Sequence, residues 1–162
     1  MSFVAQIIGG FAIALWVVSI QNEKREKILL FQFWANVLYM FEYGLLGAFS
    51  ASIMNFASSI RCLTFYKSKK CNGYVGLVVF SLFVILLGIL TYDGFLSFIP
   101  LVITFCYTIS SWVRNPIWNR ITVLVAAIVW IFYNYTVGAY ITIVGNVLEI
   151  ISGVISLVRY KY

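Results

Sequence analysis

The eleven Lys and Arg residues of this chain fall into alternate gaps between apolar runs. Lys24, Arg25 and Lys27 occupy the first gap, and Arg61, Lys67, Lys69 and Lys70 cluster around the third. Arg114 and Arg120 bracket the fifth, and Arg159 and Lys161 follow the last run. The gaps at 44–50, 92–94 and 136–140, like Met1-Ser2, hold no basic residue. Basic residues concentrate in the cytoplasmic loops of membrane proteins. The pattern therefore predicts a multi-pass chain of seven spans, with the N-terminus outside and the C-terminus in the cytoplasm. An even number of spans would break the alternation.

Composition places the chain in the same class. It is 63% hydrophobic and 10% charged, where a soluble domain carries about a quarter charged residues. A single membrane domain over 1–162 is expected. The formal charge of +6 would suit a nucleic-acid partner, but these cations sit at the ends of apolar runs, where they meet lipid headgroups. Membrane lipids are thus expected partners and nucleic acid is not. The run Phe3–Ile20 has its basic cluster after it rather than before it, the order of an uncleaved first span. Cys62, Cys71 and Cys106 are expected as free thiols, with Cys62 and Cys71 at the cytoplasmic edge. Without His or a CxxC pair, neither a metal nor a cofactor is expected. The missing His also removes the commonest general base, so an enzyme is not expected.

The spans read as Phe3–Gln21, Ile28–Tyr43, Ala51–Tyr66, Tyr74–Thr91, Phe95–Val113, Trp118–Tyr135 and Ile141–Val158. Turn signals separate them at Leu46-Gly47-Ala48, Asn72-Gly73, Asp93-Gly94, Asn115-Pro116 and Gly138-Ala139. Sliding the chain on itself by 91 residues places Ser19 on Ser110, Gly47-Ala48 on Gly138-Ala139, Asn55 on Asn146 and Ile60 on Ile151. Identity is low, yet a Gly-Ala turn followed by a buried Asn recurs in both halves at the same distance. The reading is an all-α polytopic protein with a first three-helix repeat over 1–70, a linker helix over 74–91 and a second repeat over 95–162. One inserted helix makes the two repeats parallel, an arrangement that forms a site between them.

Over nearly its whole length the chain resembles the YgjV-type bacterial inner-membrane proteins, hence an expected inner-membrane location. The resemblance is carried by Ser19-Ile20-Gln21, Leu45-Leu46-Gly47-Ala48, Asn55 and Arg61. In the second half it rests on Pro100, Trp112-x-x-Asn115, Asn119-Arg120, Trp130-x-x-Tyr133-Asn134, Gly138 and Asn146-x-x-Glu149. That resemblance implies a fold group more than an activity. More distantly, the layout is similar to the SWEET, SemiSWEET and PQ-loop transporters. What that likeness implies is a solute held between an aromatic residue on the second helix and an Asn on the third helix of each repeat. The matching positions are Tyr39 with Asn55, and Trp130 with Asn146. The helix prolines that serve those transporters as hinges are missing, with Ser19-Ile20-Gln21 standing where Pro-Gln is expected.

Polar groups inside a bilayer must find partners there. Asn55 and Asn146 each offer two donors and two acceptors, suited to a neutral solute or to packing between helices. Tyr39 and Trp130 present faces on which a ring could stack, though most of the 30 aromatic residues belong to the core or a lipid-facing belt. Glu149 lies one turn after Asn146 and is expected to serve as a neutral donor or a carrier of protons, with Asn134 or Tyr133 as alternative structural partners. Glu42 is a second proton-coupling candidate, placed near the outer end of its helix within reach of headgroup water. Asn134 and Asn36 extend the polar stripe beside Trp130 and Tyr39. Gln6 and Gln32 read as helix–helix contacts. Arg61, Arg114 and Arg120 are expected to snorkel to the inner headgroups.

The expected function is thus a small-solute transporter or facilitator taking a neutral or weakly polar solute between two repeats. The alternative is a non-transporting structural or interaction protein whose polar residues pack helices. A homo-oligomer is compatible with small-residue faces such as Gly10-x-x-x-Ala14.

Overall fold

The computed structural model describes residues 2–67, 73–113 and 116–159. Lys69, Lys70, Cys71, Asn72, Arg114, Asn115 and Lys161 lie outside the described residues. Seven α-helices account for nearly all of the rest: α1 Ser2–Gln21, α2 Arg25–Leu45, α3 Phe49–Lys67, α4 Gly73–Leu90, α5 Phe98–Val113, α6 Pro116–Val137 and α7 Tyr140–Arg159. The described residues contain no strand.

Each expected span corresponds to one helix, with differences confined to the ends. The second helix begins at Arg25, so Arg25 and Lys27 ride on its first turns rather than in a loop. Thr91 falls one residue past α4, and Phe95–Ser97 form a 3-10 turn ahead of α5. That turn follows Gly94, whose φ of 88° suits a residue without a Cβ. Among the described residues, five helices are long and apolar enough to cross a membrane: α1, α2, α6, α7, and α5 with its leading turn. The third helix falls short of that threshold because Asn55, Ser58, Ser59 and Arg61 interrupt its apolar character. The fourth has a shorter apolar stretch, Gly76–Leu90.

The molecule is apolar outside and keeps its polar side chains inside, among an apolar core. Phe3, Phe11, Leu82, Ile89, Val125, Phe132, Val144 and Val158 are all exposed. The interior collects Ser19, Gln32, Asn36, Glu42, Arg61, Thr108, Asn134 and Asn146. A water-soluble protein has the opposite arrangement, and an apolar surface of this extent requires lipid or a partner.

Packing follows the order of the helices. The second helix lies against α1 and α3, α6 against α5 and α7, and the two sets meet where α1 packs on α7 and α3 on α5. The fourth helix packs on α3 and α5. Small residues set these approaches. At Gly9 even a Cβ would collide with the Glu42 carboxyl, and at Gly145 with Ile13. Polar clamps tie α1 to the second half. Gln6 donates to Gly138 O at 2.8 Å and accepts from Ile141 N–H at 2.9 Å, and Gln21 donates to Ser152 Oγ at 2.5 Å.

The turns at Gly47 and Gly138 have the same construction. Their φ angles are 79° and 78°, and in each the following Ala N–H closes on the carbonyl five residues back. Ala48 N–H donates to Tyr43 O at 2.9 Å, and Ala139 N–H to Asn134 O at 3.0 Å. This is a Schellman closure with glycine in the left-handed position.

Candidate functional site

Six helices contribute side chains to one interior cavity of about 30 Å³. From α1 comes Trp16; from α2, Asn36, Tyr39 and Tyr43; from α3, Asn55 and Ser58. The second half supplies Ile103, Thr104 and Tyr107 from α5, Trp130 from α6, and Thr142, Asn146 and Glu149 from α7. Among the described residues, α4 adds none. A water needs about 10–15 Å³ measured this way, so the cavity holds one or two. A ligand pocket is about ten times larger, so the chamber in this arrangement has no room for a ligand of that size.

Of the sequence-predicted residues, Asn36, Tyr39, Asn55, Trp130, Asn146 and Glu149 are brought together in this chamber, and their hydrogen bonds differ in kind. Asn55 donates to Ala51 O of its own helix at 2.9 Å. Asn146 reaches across to Ala127 O on α6, at a long 3.3 Å. Asn36 donates to Gln32 O at 2.6 Å. Glu149, 4% exposed, accepts from the Tyr39 hydroxyl at 3.5 Å. Neither Asn134 nor Tyr133 partners it. Trp130 stacks on Tyr43, with ring centroids 5.6 Å apart and planes 18° apart.

Asn134 stands one layer outside the cavity. Fully buried, it accepts a 2.6 Å bond from the Tyr43 hydroxyl, while its amide nitrogen has no partner. Glu42 also lies outside the lining. It does not reach headgroup water: it is 0% exposed, it accepts from Thr142 Oγ1 at 2.5 Å, and its second oxygen is unpaired. The absence of a side chain at Gly9 makes the space that lets this carboxyl turn inward. Gln6 makes the helix–helix contact expected of it, whereas Gln32 is buried with its amide nitrogen unpaired.

Two of the expected snorkelling cations are interior. Arg61 is the largest fully buried side chain of the described residues, and Arg120 is 6% exposed. In α3, Arg61 follows Ser58 by three residues and Asn55 by six, which places it on the same stripe of the helix. Packing against α5 then closes over it. Cys62 beside it is likewise buried, and Cys106 is exposed.

Sequence reasoning missed Trp16, Tyr43, Ser58, Thr104, Tyr107 and Thr142. A signal for four of them existed in the 91-residue shift, which superimposes unlike polar and aromatic residues: Trp16 on Tyr107, Tyr43 on Asn134, and Ser58 on Glu149. In space, two of these pairs touch. Trp16 meets Tyr107 edge to face at 5.8 Å, and Tyr43 bonds Asn134.

A larger groove, of about 460 Å³, runs between α5 and α6. Its walls are apolar residues such as Phe98, Val102, Trp118 and Val125. It lacks the convergent polar groups that orient a ligand.

The inside-out polarity and the multi-pass helices describe a membrane protein. A family model for bacterial inner membrane proteins, Imp-YgjV, matches residues 3–162. The chain belongs to that family. No curated protein and no solved structure matches it. Membership in this inner-membrane family agrees with helices whose apolar faces point outward, and the Asn55, Trp130 and Asn146 positions that carried the resemblance lie on the interior chamber.

Proposed function

We propose that this protein is a carrier or facilitator for a small solute, bound in the chamber between two parallel three-helix repeats. The observation that carries this reading is the convergence of Asn55, Asn146, Tyr39, Trp130 and Glu149 on one enclosed cavity in an otherwise apolar chain. Contacts between residues 91 apart support the repeat. Such contacts arise when equivalent positions face each other across a twofold axis. The helix pairing supports it too: the shift sends α1, α2 and α3 to α5, α6 and α7, and so exchanges the α1–α7 contact with the α3–α5 contact. The linker role falls to α4.

A closed chamber suits the occluded state of a carrier. A vestibule of about 390 Å³ is lined by Gly47, Ser50, Asp93, Ser97 and Tyr133. Tyr133 packs edge to face on Tyr43, which lines the chamber, so these two rings stand between the two spaces. Movement of the rings would join them. Glu149 is the residue that would exchange a proton when the chamber opens.

The test is thermal unfolding of the purified protein against sugars, polyols, nucleosides, amino acids and organic acids. A ligand that binds the folded state at 100 times its Kd adds about 2.7 kcal/mol of apparent stability. The gain should vanish in the Asn55→Ala/Asn146→Ala double variant, whose ligand-free melting temperature should fall little. Asn55 bonds within its own helix and Asn146 makes one long bond, so neither holds helices together strongly. The rival is the non-transporting interaction protein, favoured by the chamber's small volume. It predicts no stabilising ligand and a double variant that melts far below the parent.

The basic gaps support an N-terminus outside the cell. Cysteines placed at Phe49 and Tyr140, both exposed beside the two Gly-Ala turns, should react with an impermeant maleimide on intact spheroplasts. A cysteine at Lys24 should react only after permeabilisation. Labelling in the reverse order would invert the proposed orientation.

A further inference from the structure

The guanidinium of Arg61 is fully buried and has weak partners. Nη1 donates to Thr104 O at 3.4 Å, Nη2 to Cys62 Sγ at 3.9 Å, and Nε to nothing. Its carbon lies 5.5 Å from the centroid of the Tyr107 ring. Among the described residues no carboxylate pairs with it. Guanidinium remains charged in proteins and offers five donors, and a buried charge without a counter-charge is costly by several kcal/mol. A cation held in this way is incomplete until an anion joins it.

The missing anion can come from the chamber. Arg61 stands just behind the chamber wall, of which Thr104 and Tyr107, both in contact with it, form part. So does Asn36, whose amide shares Cys62 Sγ with the guanidinium at 3.8 Å. Arg61 is 0% exposed, so neither a solute nor a lipid headgroup touches it until the chamber opens. We propose that the solute is a small organic monocarboxylate, its carboxylate recognised by Arg61 and Asn36 and its apolar body by Trp16, Tyr39 and Trp130. One guanidinium and one amide match a single negative charge. The aromatic walls favour a hydrocarbon body over an inorganic ion. Glu149 lines the same chamber, and repulsion between two anions there favours loading with Glu149 protonated.

This inference rests on the reading of the chamber as a solute site and replaces the neutral solute expected from the sequence. Its test is a comparison of acid and amide pairs on the wild-type protein in detergent: butyrate with butyramide, and benzoate with benzamide, alongside sodium chloride, sodium nitrate and glucose. The expected result is a rise in melting temperature with a carboxylate and none with its amide. Arg61→Gln should weaken carboxylate binding about 10- to 100-fold, the loss of one charge-assisted contact, and Arg61→Lys should retain part of it. Stabilisation by an amide or glucose that survives in Arg61→Gln would overturn the anion assignment and leave the solute site standing. Equal shifts with nitrate and carboxylate would overturn the organic class. No shift with any compound would overturn both the inference and the solute site. The acid–amide comparison needs no variant, so it decides the matter even where Arg61→Gln fails to fold.

Discussion

Gly145→Leu should lower the stability of the protein by about 3 kcal/mol, the upper part of the usual range for overpacking a well-filled interior. A Cβ at position 145 already overlaps the Ile13 side chain, and Ile13 is buried in the core cluster with Ala12 and Trp16. Neither helix can yield without loss elsewhere. Gln6 holds the end of α1 to the α6–α7 turn, and the Gln21–Ser152 and Ser156–Ile20 bonds hold the other end to α7. A wedge at 145 therefore strains all three. Thermal unfolding in detergent measures the loss, and Gly10→Ala is the control on the same side of α1. The nearest atom to a Cβ there is Ile141 Cγ2 at 3.8 Å, an ordinary contact, and alanine favours the helix, so that variant should melt at or above the parent temperature. Ile13→Ala combined with Gly145→Leu should recover part of the loss by returning the volume. Parent-like melting of Gly145→Leu would show that α1 and α7 do not pack in this register.

Tyr43→Ala should cost about 3–5 kcal/mol, the range for truncating a buried aromatic residue. Tyr43 is 2% exposed and stands at the centre of a ring cluster with Tyr39, Trp130 and Tyr133. Its hydroxyl also donates a 2.6 Å bond to Asn134, and this part of the effect can be separated by a double-mutant cycle. Tyr43→Phe keeps the ring but leaves Asn134 with neither its oxygen nor its nitrogen paired. Removing one partner of a buried bond costs about 1–3 kcal/mol, while replacing both by apolar groups of similar shape approaches neutrality. Tyr43→Phe/Asn134→Leu should accordingly be more stable than Tyr43→Phe alone. The coupling energy should lie near 1.5 kcal/mol, at the upper end of measured intramembrane pairs, because the bond is 2.6 Å long and wholly buried. Additive effects of the two substitutions would mean that these equivalent positions do not meet.

The helices themselves were legible because each is a run of apolar residues closed by a turn residue of defined chemistry. The left-handed glycines at 47 and 138 were marked by Gly-Ala pairs, and the expected spans differ from the helices by a few terminal residues. Tyr39 with Trp130 and Asn55 with Asn146 stand at matching repeat distances, Asn36 and Glu149 lie about one turn from Tyr39 and Asn146, and all six share one cavity. The cations were harder. Arg61 stands six residues from the end of its helix, where snorkelling and burial are equally consistent with position alone. Its stripe with Asn55 and Ser58 pointed inward, but the general habit of Arg in membranes pointed outward. Glu42 differs from expectation for a related reason: its place near a helix end suggests headgroup water, but the absent side chain of Gly9 on another helix leaves room for it inside.

By itself, then, the sequence determined that this chain is a helical membrane protein and where each helix begins and ends within a few residues. Hydropathy is a property of each residue and its near neighbours, so it survives without tertiary information. Only the tertiary structure decided which aromatic and charged side chains face the interior. In lipid, both the outside and much of the inside are apolar, so hydrophobicity no longer separates them as it does in water. Trp16, Tyr43 and Tyr107 line the chamber while Phe11, Phe132 and Tyr140 face outward, and nothing in their chemistry distinguishes the two groups. The distinction lies in which helix packs on which, and that is settled by small residues and buried hydrogen bonds contributed by distant parts of the chain.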